Sequence, residues 1–128
     1  MSDPERLAVV ILHVADIERS LRFYRDLLGV PLERGFNAPE HDPWYGGHHV
    51  ELSWRAGAYL HFALFPVKAD AHPTTGAELG FHVEDVSVVH ERVVAASATV
   101  LHEPRPEPWG LTGRYRDPDG NIVGVTSR

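Results

Sequence analysis

LHVADI, residues 12–17, returns as FHVEDV at residues 81–86, an offset of 69 positions. Ahead of the first copy stands LAVVILHV, residues 7–14, whose β-branched run reads as a buried strand. Behind it Asp16 is placed to cap a helix. Ile17, Leu21, Tyr24 and Leu28 then recur at the spacing of one helical face. Gly29 ends that helix, and Pro31 forbids its continuation. The second copy repeats the grammar. ELGFHV, residues 78–83, is the strand, Asp85 the cap, and Val86, Val89, Val93 and Ala96 the helical stripe. A repeat on this scale sets the fold.

Three further strands are expected in each copy. In the first they fall at 30–35, 48–54 and 58–65, the last two with the alternation of half-buried strands. In the second, a strand begins at 99–101 and runs into EPRPEP, 103–108, too rich in proline for the centre of a sheet. Strands at 109–116 and 121–126 are joined by DPDGN, 117–121, a strong turn signal. Loops are expected at 37–47 and 66–77. The order is therefore βαβββ twice, an α+β fold. Module one covers about 5–66, a linker 67–77, and module two about 78–128, all within a single domain, 1–128. Neither half can cover both faces of its own small sheet, so the two are expected to share a core or cavity.

Composition narrows the function. A chain of 128 residues, 43 % hydrophobic and 23 % charged, is one ordinary globular domain. Its net charge of −6 argues against nucleic acid or an anionic membrane as partner. No cysteine is present, which removes disulfides, thiolate metal sites and cysteine nucleophiles. MSDPERL at the start lacks the apolar core of a signal peptide, and no apolar run reaches membrane-spanning length, so the cytoplasm is expected. Nine histidines raise the question of a metal.

The layout resembles the vicinal oxygen chelate superfamily: glyoxalase I, type I extradiol dioxygenases and bleomycin-resistance binding proteins. The resemblance is carried by HVADIERSLRFYRDLLGVPL at 13–32, LGFHVEDV at 79–86, PWG at 108–110 and RDPDGN at 116–121, and it covers essentially the whole chain. It implies two βαβββ modules forming a curved mixed sheet around a cavity, in a homodimer. It also implies four metal-ligand positions in the members that use a metal. In this chain those positions hold Val9, His61, Glu78 and Gly124. Valine and glycine cannot donate, whereas catalytic zinc and its relatives need three or four N or O ligands. No cofactor is expected on that count; His61 and Glu78 are the residues to hold a divalent metal if one binds, in a degenerate or shifted site.

The remaining candidates follow from residue type. Strand period places His13 on the face of Val9, and His82 on the face of Glu78. As members of the repeated motif, both histidines also suit a structural role at a strand end. Glu78 is an acid in an apolar strand; buried, it would serve as a general base, or as an acceptor for a ligand. Trp44 shares a loop with Gly46 and Gly47, Trp109 precedes Gly110 at the start of a strand, and both can stack on a planar or sugar-like ligand. Tyr59 shares the inward face of His61. His41, His48, His49, His72, His90 and His102 read as solvated. These residues point to a small-molecule-binding protein of the bleomycin-resistance type, sequestering an amphipathic or cationic ligand in an aromatic, weakly acidic cavity. The alternative is a glyoxalase- or dioxygenase-like enzyme, with Glu78 as its catalytic residue.

Overall fold

A computed structural model describes residues 7–42, 46–54, 60–68 and 71–128. The element order is the expected double βαβββ. Strand β1 (Val9–Val14) leads into helix α1 (Ile17–Leu21), then β2 (Glu33–Asn37), β3 (Gly47–Trp54) and β4 (Leu60–Pro66). The second copy runs β5 (Glu78–His82), α2 (Val86–Ala95), β6 (Val100–Glu107), β7 (Gly110–Arg116) and β8 (Ile122–Ser127). The two sheets have the same order, β1-β4-β3-β2 and β5-β8-β7-β6, with the first strand parallel to the last and the other pairs antiparallel. The duplication read from two hexapeptides is thus a duplication of topology.

The chain divides into two compact units, with one boundary inside the 67–77 segment and residues 18–30 grouped with the second half. One unit is residues 1–17 and 31–73; the other is residues 18–30 and 74–128. The helix of the first copy therefore belongs with the sheet of the second.

That helix differs from the single α-helix expected. After α1 the backbone widens into a π-helical segment, Arg22–Leu27, and Leu28 N–H donates to Phe23 C=O, 3.1 Å away. Leu21, Phe23, Tyr24 and Leu28 are its buried large side chains. Gly29 closes the helix at φ +84°, its N–H donating to Arg25 C=O.

In this second unit one face of the sheet meets the helices. Val86, Val89 and Val93 of α2 are buried, as are Tyr115, Val123 and Val125 of the sheet, and Tyr24 packs edge-on against Phe81. Asp85 caps α2 as expected, accepting from Ser87 N–H. Strand β6, carrying Pro104 and Pro106, lies at the edge of its sheet with shifts in register, the place for residues that cannot donate to a ladder.

Two buried phenols give this unit an alkaline limit. Burial, with the negative charge of Asp117 beside it, pushes the Tyr24 hydroxyl well above its ordinary value. Burial alone pushes Tyr115 up from 10.0 to about 12. Both protons are held more tightly folded than unfolded. Their contribution is complete below about pH 10 and is lost as pH rises toward the folded values. The urea midpoint is expected to fall between pH 10 and 12, and to fall less steeply in Tyr115→Phe.

In the first unit Leu12, Val14, Val50, Phe62 and Leu64 are buried on one face of the sheet, and His49, Ala63 and Phe65 on the other. Among the described residues, no helix is long and apolar enough to cross a membrane.

Candidate functional site

The face of the second sheet turned away from its helices carries a cavity of about 640 Å³, within the range of small-molecule sites. Strand alternation builds it. Glu78, Gly80 and His82 of β5 pair in register with Ile122, Gly124 and Thr126 of β8. Arg114 and Thr112 of β7 continue the rows opposite Gly124 and Thr126, and His102 and Arg105 of β6 end them. Trp109, 62 % exposed, also lines the cavity. Three residues expected from the sequence, Glu78, His82 and Trp109, are thereby brought together.

The cavity is not acidic, and Glu78 is not buried. Its side chain is 61 % exposed and accepts a hydrogen bond from Arg114 Nη2. Glu107 accepts from Arg105 Nε at 2.8 Å. Two carboxylates and two guanidiniums thus offset one another on the lining. Glu78 is thus a solvated, arginine-paired acid and not a buried one. Thr112 and Thr126 share a hydroxyl hydrogen bond of 2.8 Å and are buried. His102 donates from Nδ1 to the Glu103 carbonyl at 2.9 Å, which leaves Nε2 as an acceptor; it is buried and has no hydrogen-bond partner. His82 is exposed, its Nδ1 3.5 Å from the Arg128 guanidinium.

His61 and His13 stand in the other unit, on the second face of the first sheet. Val9 pairs with His61 and His13 with Phe65. His61 Nδ1 is 2.8 Å from Ser53 Oγ, and its Nε2 is 4.0 Å from Glu51 Oε2. That same carboxylate oxygen accepts from His49 Nε2. His49 was expected to be solvated; it is 3 % exposed and stacked on Phe65, with ring centroids 4.5 Å apart. The reason is Gly35 across the ladder, where a Cβ would come within 2.7 Å of the imidazole. His90, also expected to be solvated, bonds the buried Tyr115 hydroxyl at 3.0 Å. Trp44 and Tyr59 lie outside the described residues.

The four inherited positions do not fit a metal. Val9 and Gly124 have no donor atom. Register also separates the second pair: Glu78 faces Ile122, while Gly124 faces Gly80. Among the described residues, no group of three or more His, Asp or Glu is arranged to hold an ion.

A family model described as "Glyoxalase/Bleomycin resistance protein/Dioxygenase superfamily" matches residues 6–125. The chain is 28 % identical over 121 residues to a lactoylglutathione lyase of Haemophilus influenzae, covering 86 % of this chain and 83 % of that one. It is 29 % identical over 130 residues to a probable chloroplastic lactoylglutathione lyase of Arabidopsis thaliana; that match covers 93 % of this chain but only 35 % of the longer relative. Among solved structures, TnmS3, an antibiotic binding protein from Streptomyces sp. CB03234, superposes with a TM-score of 0.68 at 22 % identity. It covers 99 % of this chain and 98 % of that one.

Proposed function

The chain belongs to the glyoxalase/bleomycin resistance protein/dioxygenase superfamily, and from that premise we propose that it binds and sequesters an amphipathic small molecule without using a metal. One observation carries this reading. The open face of the second sheet gathers a ligand-sized cavity, an exposed indole and two internally paired ion pairs, with a bare strand surface where a catalytic metal would need a carboxylate. Because the lining charges balance, the total of −6 gives no reason to favour a cation there. Binding needs only desolvation of the cavity, apolar contact with Trp109, and hydrogen bonds from groups already held in place. TnmS3 shows the same fold serving an antibiotic-binding protein. A homodimer in the cytoplasm completes the proposal.

The test is a thermal-shift screen with amphipathic natural products. A compound at a hundred times its Kd stabilises the folded state by about 2.7 kcal/mol. Trp109→Ala is expected to remove most of that shift while leaving the unliganded midpoint unchanged, since Trp109 is mostly exposed. Hits that stabilise the variant and the parent equally contradict the reading.

A second reading rests on the hydrogen-bonded His61–Ser53 pair beside Glu51, and on the lyase names of the relatives. There His61 is the proton-transfer group. Lactoylglutathione lyase turnover that is lost in His61→Ala is the result that favours it.

A further inference from the structure

We infer that the cavity of the second sheet takes a flat, fused-ring ligand with hydrogen-bonding edges and no net charge, laid on a floor made by Gly80 and Gly124. The inference rests on the binding reading above and names the ligand class of that same cavity.

Several glycines in this chain have a structural reason. Gly110 has φ +135°, and a Cβ there would come within 2.8 Å of the Ser127 carbonyl; at Gly35 it would strike His49. Gly80 and Gly124 have neither reason. Neither has a positive φ; a Cβ on Gly80 would meet nothing within 4 Å, and one on Gly124 only the Leu79 carbonyl at 3.8 Å. Glycine weakens a strand, and β-branched residues suit both positions better. A strand glycine that packing does not demand marks close approach of something else to the backbone.

The two glycines are direct partners across β5 and β8. Strands lie about 4.8 Å apart, so the pair removes side chains from a patch two strands wide. A flat surface of that width matches the face of a fused ring system. A rounded ligand touches it at one point and forfeits the dispersion contact. The same row continues into Arg114, pinned by Glu78, and then into His102, whose buried Nε2 acceptor has no partner. The next row holds Thr126, Thr112 and Arg105. The floor is bare and its borders are polar, which asks for hydrogen-bonding groups on the edges of the ring. The borders carry Glu78 with Arg114 and Glu107 with Arg105, so a charged ligand would leave its charge uncompensated. Trp109 supplies an aromatic face for the other side of the ring.

Lumichrome, a neutral tricycle with polar edges, is the probe, and adamantane-1-carboxamide is its rounded counterpart. Calorimetric titration of the full chain is expected to show lumichrome binding more tightly than the adamantane amide. Gly80→Val and Gly124→Val are each expected to weaken lumichrome at least about tenfold, equivalent to 1.4 kcal/mol. Both variants keep their circular dichroism and an unchanged or raised midpoint, since valine suits a strand. Valine variants that bind lumichrome like the parent overturn the inference. Binding of the adamantane amide without lumichrome overturns flatness alone and leaves the binding reading standing. Binding of neither probe overturns both.

Discussion

Asp117→Ala is expected to lower the unfolding free energy by at least about 3 kcal/mol, since each buried donor left unsatisfied costs about 1–3 kcal/mol. Asp117 is the first residue of the DPDGN turn and is 5 % exposed. Its Oδ1 accepts from the backbone N–H groups of Asp119 and Asn121, at 2.9 and 2.8 Å. Its Oδ2 accepts from the Asn121 amide at 2.9 Å and from the buried Tyr24 hydroxyl at 2.6 Å. Asn121 passes the connection on, donating to the Thr74 carbonyl and accepting from Ala77 N–H. Arg19 adds an ion pair to Asp119 at 3.2 Å. The turn is therefore the joint between the first helix and the second sheet. Alanine leaves four donors without their acceptor. Asparagine keeps one oxygen and should lose less, and urea unfolding of the two variants measures the difference.

Gly110→Ala is the second large effect, expected at about 3 kcal/mol from left-handed backbone strain and a backbone clash together. At φ +135°, its Cβ would meet the Ser127 carbonyl and Thr126 Cγ2, both at 2.8 Å. Gly124→Ala is the matched control on the same sheet. It has no positive φ and only an ordinary contact at 3.8 Å, so its change should stay within about 1 kcal/mol. Equal losses in the two variants would mean that the Trp109–Gly110 corner is not constrained as described. The PWG motif thus has a split meaning: the glycine belongs to the fold, and the tryptophan faces the cavity.

The fold was legible because a repeat is a property of local sequence. LHVADI and FHVEDV each mark a strand passing into a capped helix, and strand alternation supplies the rest. The π-helical widening over residues 22–27 was not legible, since the apolar spacing of this stretch is that of an ordinary α-helix. The site was legible in part. Glu78, His82 and Trp109 share a cavity, as strand period and glycine context indicate. Arg105, Glu107 and Arg114 escaped notice because their role comes from register across β6, β7 and β8, which no single strand encodes. The same limit concealed the buried His49, whose place depends on the missing side chain of Gly35 on another strand. It also concealed the pairing of Arg114 with Glu78, which turns an apparently isolated acid into half of an ion pair. Gly124 was readable as the absence of a ligand; only its pairing with Gly80 gives that absence a shape.

We place small-molecule binding on the bare, polar-bordered face of the second sheet. Amide NMR of the labelled full chain during titration with lumichrome tests it directly. The largest shifts are expected on Gly80, Gly124, Thr126 and Gly110. Largest shifts on Glu51, Ser53 and His61, with Gly80 and Gly124 unmoved, would contradict it.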